Sequence, residues 1–231
     1  MAKKIIFIIL IQIVLLRINF IEAQTTTGFC AGINFSQLTG SHTFDEKIPR
    51  KGLYGGIFLD ITVAFESSIE IGAFYSQQGV IYRNVDNLYS IKKTYTVYRN
   101  LDYVMVPINW KQMWGDVYTK IGMYGEFDIN PTSTWKESIE TQTNRVDSTG
   151  EYFGFVNNLK LYDIGVNFGI GLMTPISDQF DLFLDVTYRM GFFPIENTYI
   201  PEQIKKNRIF CISTGIILRG KENRYAPNKR K

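Results

Sequence analysis

The chain has 231 residues, of which 45% are hydrophobic and 15% aromatic, so it can bury a sizeable core. This composition excludes a largely disordered protein. The formal charge of +3 comes from 25 basic and 22 acidic residues, and residues 220–231 alone contribute five of the basic and one of the acidic residues, so the rest of the chain has 20 basic and 21 acidic residues. That distribution argues against nucleic acid as a partner.

The first 23 residues have the features of a secretory signal peptide. Two lysines precede an apolar run over residues 5–16, and Ala23 offers a small residue at a cleavage point. The run is shorter than the roughly 20 apolar residues that cross a bilayer as a helix. We therefore predict a signal peptide at 1–23, one β-barrel domain at 24–219 and a basic tail at 220–231.

Eight segments of the remaining chain alternate apolar and polar residues with a period of two, which predicts β-strands. In chain order they are residues 26–37, 52–64, 69–78, 101–113, 117–127, two runs within 162–191, and 207–219. No apolar run among them reaches the length of a transmembrane helix. A membrane form of this protein would have to cross the bilayer as strands.

The connections between these segments alternate between short and long. The short ones are 66–68, 114–116 and 175–179, and the long ones are 38–51, 82–93, 128–161 and 192–206. This sorting predicts an all-β, eight-stranded antiparallel up-and-down transmembrane barrel with short periplasmic turns and long extracellular loops. The connection at 128–161 is long enough to carry a hairpin of its own.

Period two alone does not decide whether the apolar face of each strand lies inside the barrel or outside it. The polar face favours lipid outside, because it carries charges of both signs that a dry soluble core could not hold. The charges expected in the lumen are Asp60, Glu70, Lys111, Lys120, Glu126, Asp181, Asp185 and Arg189. The side chains expected to face lipid on the 162–191 hairpin are Ile164, Val166, Phe168, Ile170, Leu182, Leu184 and Val186.

Aromatic residues near the strand ends are candidates for the girdles that flank the lipid-facing band of a membrane barrel. One group lies beside a short connection and consists of Trp110, Trp114 and Tyr118. The other lies toward the long connections and consists of Tyr95, Tyr98, Tyr103, Phe192 and Phe193.

Four segments, GFCAGINFSQLTG, LYGGIFLDITVAFESSIEIGAFYSQQGV, LDYVMVPINWK and YDIGVNFGIGL, resemble successive strands of the PorT-like outer-membrane β-barrel family of Bacteroidetes. The resemblance includes a proline in the fourth strand, here Pro107. It implies an eight-stranded barrel in the outer membrane of a Gram-negative, diderm bacterium. It also implies a link to protein secretion, with outer-membrane lipid and other envelope or secretion proteins as partners. It implies no catalytic residues.

Catalysis has little support in the residues themselves. The single histidine, His42, lies in a long connection and is read as a solvent-exposed side chain. No cofactor or metal motif is present, so we predict a non-catalytic structural or surface-interaction protein. A narrow channel or transporter for small solutes is the alternative. Aromatic residues on the polar face predict a plugged lumen, because eight strands enclose a space that side chains just fill.

Overall fold

The computed structural model describes residues 25–40, 44–89, 91–151, 159–195 and 204–219. They form ten β-strands: β1 (Thr25–Leu38), β2 (Glu46–Ala64), β3 (Ser67–Leu88), β4 (Ile91–Trp114), β5 (Val117–Asp128), β6 (Thr132–Glu140), β7 (Arg145–Glu151), β8 (Tyr162–Pro175), β9 (Phe180–Gly191) and β10 (Asn207–Leu218). None of the described residues forms a helix that could span a bilayer. The predicted signal peptide, the basic tail and His42 lie outside the described residues.

Eight of the ten strands close a ring in the order β1-β2-β3-β4-β5-β8-β9-β10, and every neighbouring pair is antiparallel. The ring closes where β1 meets β10, with Thr27 opposite Leu218 and Leu38 opposite Asn207. The first strand therefore starts, and the last strand ends, at the edge of the ring where the short connections lie. The predicted ring of eight strands is confirmed.

The other two strands form a hairpin within the 128–161 connection, whose length allowed for one, and they bring the number of described strands to ten. β5 pairs with residues 103–114 of β4, and β6 pairs with residues 92–100 of the same strand. β6 thus continues along β4 beyond the end of β5. β7 then returns on the outer side of β6, and β8 pairs directly with β5 to continue the ring.

Two of the predicted long connections are largely strand. β2 begins at Glu46, and β3 and β4 extend to Leu88 and Ile91, so the loops predicted at 38–51 and 82–93 are wrong in extent. The tight turn between β3 and β4 includes Tyr89, whose φ is 54°. Beyond the ring both faces of this hairpin carry polar side chains, so the two-residue alternation that marks a half-buried strand is lost.

The ring has an apolar outer face. Five of the seven residues predicted to face lipid are 41–54% exposed, and Val166 and Val186 are half-buried between their neighbours. Similar exposed apolar residues occur on every strand of the ring; they include Phe29, Ile57, Ile71, Ile108, Ile121 and Ile212. Charged residues of the same strands point into the ring instead.

Cys30 and Cys211 lie on the inner face of β1 and β10 and are both free. Cys30 is opposite Gly215, and Cys211 is opposite Asn34, so the two cysteines are offset by four residues in the register. At about 3.4 Å per residue this offset exceeds the separation that a disulfide bridges. We expect maleimide to label two thiols per chain in unreduced, denatured protein. Labelling of none would mean that the two cysteines are oxidised.

Candidate functional site

Two apolar clusters are buried, one inside the ring and one where the ring meets the extensions of its strands. The lower cluster, toward the short connections, is formed by Phe58, Phe74, Met105, Tyr118, Tyr124, Phe183 and Ile217. The upper cluster, toward the long connections, is formed by Leu38, Val80, Tyr82, Val97, Leu101, Tyr103, Leu159 and Ile195. Gly171 makes room for Tyr118, because a Cβ at that glycine would lie 2.2 Å from the tyrosine ring.

The predicted aromatic girdles need correction at two positions. Tyr103 and Tyr118 are each 1% exposed and pack inside the ring, so the prediction that they flank the apolar band is wrong. Strand parity explains this, since Tyr103 shares a face with buried Met105 rather than with exposed Val104. Trp110 and Trp114 do lie on the outer face, with exposures of 46% and 64%.

All eight charged residues predicted for the lumen are buried inside the ring, Lys120 with a side chain that is 10% exposed. Lys120 is shared between two carboxylates: its ammonium contacts Asp185 and lies 3.6 Å from Glu70. Lys111 forms a 2.5 Å ion pair with Asp60. Near the short connections, Arg219 donates from Nε to Asp181 over 2.6 Å. Opposite charges thus compensate one another inside the ring, and the pairs formed by Lys111 and Lys120 join strands that are not adjacent.

Arg189 and Glu126 are held by neutral partners. Arg189 donates to the Oδ1 of Asn34 over 2.6 Å, and its guanidinium lies 4.9 Å from the ring centre of Tyr54. Glu126 accepts hydrogen bonds from Gln78 at 2.7 Å and Asn207 at 3.2 Å. Within the described residues, neither side chain has an oppositely charged group within ion-pair distance. These polar partners could not be identified from the strand pattern, because they depend on the register between strands.

A small cavity remains among these side chains, between Lys120 and Arg189. It has a volume of about 10 Å³ and is also lined by Tyr54, Asn109 and Asn167. Such a space has room for about one water molecule. The buried side chains of the lower cluster and the ion pairs thus leave room for little more than one water molecule at this place.

An extension of the same ten-stranded sheet rises from the end of the ring that carries the long connections. It consists of residues 46–49 of β2, 80–88 of β3, 91–100 of β4, and the whole of β6 and β7, and we call it the outer sheet. Tyr95 stacks on Trp135 with ring centres 6.1 Å apart, and Phe44 stacks on Tyr82 at 5.0 Å. These contacts tie the outer sheet to the upper cluster.

The exposed part of the outer sheet carries pairs of opposite charges. Lys93 contacts Glu137 at 2.7 Å, Lys136 contacts Asp147 at 3.2 Å, and Arg83 lies 3.5 Å from Glu46. The hydrogen bond from Lys93 to Glu137 raises the pKa of the lysine. Apolar side chains are also exposed at the far end of the sheet, where Tyr89 is fully exposed and Leu88 is 66% exposed.

Asp147 should titrate at unusually low pH. Hydrogen bonds from Ser138, Arg145 and Lys136 lower its pKa from 3.8 to about 2. Because the folded pKa is the lower one, the carboxylate stabilises the β6–β7 hairpin above pH 4 and ceases to do so as the pH falls through about 2. A ¹³C carboxyl titration of the protein in nanodiscs measures this directly.

Among substitutions of the three hydrogen-bond donors, Ser138→Ala should raise the pKa of Asp147 most, since the hydrogen bond from the serine hydroxyl lowers that pKa more than the other two do. Asp147→Asn identifies the resonance. A midpoint at the ordinary aspartate value in the unchanged protein would contradict the hydrogen-bonded hairpin.

Residues 22–197 match the family model described as "Outer membrane protein beta-barrel domain". The chain belongs to this family. It is accordingly an outer-membrane protein with an all-β barrel fold. No curated protein matches the chain.

Three solved structures of outer-membrane barrels are similar to this member of the family at low identity. Ail, the attachment invasion locus protein of Yersinia pestis, is 10% identical, with 84% of this chain and 99% of Ail covered and a TM-score of 0.34. Neisserial surface protein A is 12% identical, with 84% and 97% covered and a TM-score of 0.37. The outer-membrane protease OmpT from Escherichia coli is 6% identical, with 85% and 93% covered and a TM-score of 0.30.

Proposed function

We propose that this chain is a non-catalytic outer-membrane barrel whose outer sheet is an interaction surface at the outside of the cell. One observation carries the proposal: the outer sheet adds long extensions of β3 and β4 and an entire hairpin to a ring that closes without them. Segments that a scaffold does not need for its own closure are where barrels of this kind carry binding functions. The short connections would then face the periplasm.

The position in the membrane follows from the outer face of the ring. We infer that its apolar band, including Ile170, Leu184 and Val186, contacts lipid hydrocarbon, while Lys120, Asp185 and the other lumen charges stay away from lipid. An outward apolar band and a polar interior are the pattern of transmembrane β-barrels. Residues 1–23 would be removed on export, and residues 220–231 would form a tail.

At a finer level, we propose that the chain is a PorT-like barrel of a Bacteroidetes species, with a secretion-associated partner in the envelope. The order of the four resembling segments along the chain supports this subgroup.

The test of the interaction surface is photo-crosslinking in intact cells. A photoreactive amino acid at Thr149 of the outer sheet is compared with the same residue at Asp116, an exposed residue in a short connection. We expect protease added to intact cells to cut within 132–151, and adducts with a surface macromolecule to form at 149 and not at 116. Protection of 132–151 until the membrane is broken would reverse the topology. Absence of adducts at all exposed positions of β6 and β7 would contradict a binding role.

A narrow channel makes a different prediction for the same protein. Aromatic and charged side chains are buried inside the ring, and eight strands enclose a space that side chains just fill, so we expect refolded protein in planar bilayers to show no steady conductance steps. Steady openings that persist after removal of the β6–β7 hairpin would favour the channel.

A further inference from the structure

One edge of the outer sheet is open among the residues that the structure describes. The strand order ends at β7, which pairs on one side with β6. In the adjoining turn, Thr141 donates its backbone N–H to the carbonyl of Asn144, and the β6–β7 register continues from that pair without a break. Hydrogen-bonded and non-hydrogen-bonded pairs alternate along antiparallel strands, so the next pair, Glu140 with Arg145, is not hydrogen-bonded. From Arg145 onward, every second residue of β7 therefore points its backbone N–H and C=O away from β6, toward the edge. These residues are Arg145, Asp147, Thr149 and Glu151.

The side chains on this edge complement a second copy of the same edge. If two β7 strands pair antiparallel about Ser148, Arg145 of each lies opposite Glu151 of the other, and Asp147 lies opposite Thr149. The four residues with free backbone groups are then the ones that face each other as hydrogen-bonded pairs. Charges commonly protect an edge strand from pairing, but here opposite signs occupy symmetric positions, so the repulsion is missing.

The charges also select one register. A pair centred one residue earlier would place Asp147 opposite Asp147, and a pair centred one residue later would place Asp147 opposite Glu151. Like charges directly opposite each other destabilise a strand pair. The register centred on Ser148 avoids both contacts and uses the full length of β7.

The direction of β7 fixes how the two copies are oriented. Arg145 lies at the far end of the outer sheet, opposite Glu140, whereas Glu151 lies toward the ring, opposite Thr134. In an antiparallel pair the second copy is therefore inverted, with its ring at the opposite end. Copies in one membrane share a single orientation and cannot form this pair, but copies in two facing membranes can.

We propose that β7 is a docking edge for a second copy of this chain in a facing outer membrane, joined by an antiparallel β-pair centred on Ser148. This is edge-to-edge β-augmentation, in which backbone hydrogen bonds supply affinity and the side-chain pattern supplies specificity. The inference rests on the proposed function, because it requires the outer sheet to lie outside the cell.

A cysteine at the symmetry position tests the pairing. In Ser148→Cys the two thiols occupy a non-hydrogen-bonded pair with Cα atoms about 4.5 Å apart, within the range for a disulfide. In the control Val146→Cys, an exposed residue two positions away, the two thiols are offset by four residues and should not join. The native cysteines are inside the ring in both variants. Tagged and untagged protein are reconstituted in separate vesicles, mixed, and oxidised with copper phenanthroline.

We expect disulfides between tagged and untagged chains for Ser148→Cys and about tenfold fewer for Val146→Cys. Charge reversal is the second test, with Ser148→Cys as the background. Arg145→Glu or Glu151→Arg alone replaces two opposite-charge pairs by like-charge pairs and should lower the disulfide yield about tenfold. Arg145→Glu together with Glu151→Arg restores both pairs and should restore the yield.

Equal yields for Ser148→Cys and Val146→Cys would overturn the inference, and so would a lack of rescue by the double charge reversal. Disulfides confined to chains reconstituted in the same vesicle would also overturn it, since they exclude inverted copies. A membrane-impermeant maleimide applied to intact cells separates this failure from failure of the proposed function. Labelling of Ser148→Cys without cross-linking rejects only the self-pairing, whereas absence of labelling rejects the outward placement of the sheet.

Discussion

Lys120→Met should lower the free energy of unfolding by about 3–5 kcal/mol, because removal of one partner leaves buried charges without compensation. The Lys120 ammonium contacts Asp185 and lies 3.6 Å from Glu70, and both carboxylates have side chains that are at most 6% exposed. Urea unfolding of protein in phospholipid vesicles, followed by tryptophan fluorescence, measures the change. Among the described ion pairs of the lumen, only Lys120 contacts two carboxylates, so only its removal leaves two carboxylates without a cation.

The matched control is Lys93→Met in the outer sheet. Lys93 also forms an ion pair, with Glu137 at 2.7 Å, but its side chain is 50% exposed and water screens the interaction. It should therefore change the unfolding free energy far less. Combining Lys120→Met with Glu70→Gln and Asp185→Asn removes the two uncompensated carboxylates and should recover most of the lost free energy of unfolding. If the two lysine variants were equally stable, the lumen network would contribute nothing specific.

Val186→Arg should cost about 2–4 kcal/mol, since it places a charge on the outer face at the middle of the bilayer. Val186 lies near the centre of β9, between Ile212 of β10 and Ile170 of β8. The same unfolding measurement in vesicles gives the change in free energy. This prediction follows from the assignment of the apolar face to lipid.

Phe180→Arg supplies the control for depth. Phe180 is on the same face of the same strand but at its end, opposite Leu218 and beside a short connection. Arginine near the interface costs about 0–1 kcal/mol in a membrane barrel. Equal costs at 180 and 186, or a protein that remains soluble and monomeric without detergent, would show that the apolar band does not contact hydrocarbon.

The ring could be predicted from the sequence because its two environments differ so strongly. Asp185 and Val186 are consecutive, yet one is 2% exposed inside the ring and the other lies on the apolar outer face. Each strand of the ring repeats this contrast between an exposed apolar face and a buried polar face every two residues. The alternation therefore identified all eight ring strands, and strand parity placed the charged residues on one face.

The outer sheet was harder to predict for the same physical reason. Around the β3–β4 turn both faces of the hairpin carry polar residues, so the apolar–polar alternation that predicts a strand is absent over residues 82–93. The pairing of β6 with β4 could not be predicted either, because it depends on the three residues, 129–131, that interrupt the strand between β5 and β6. There Asp128 accepts the backbone N–H groups of Asp102 and Asn130 and so directs the chain along β4.

Which inward-facing side chains contact each other in the lumen depends on the register between strands and not on strand parity. Parity places Lys120 and Glu70 on the inner face, but they belong to β5 and β3, which are separated by β4. Their contact depends on the alignment of three strands. Tyr103 and Tyr118 show the opposite case. Strand parity alone places both on the inner face, although their position near a strand end is typical of an aromatic girdle.

Because the number of strands in the ring is even, the chain enters β1 and leaves β10 at the same edge, where Thr27 pairs with Leu218. The outer sheet is attached to the opposite edge. Under the proposed topology, a fluorescent reporter or affinity handle fused after residue 231 is expected in the periplasm, whereas a ligand of β6 and β7 binds outside the cell. Imaging and pull-down experiments can then be run on one fusion protein without steric interference at the surface under study.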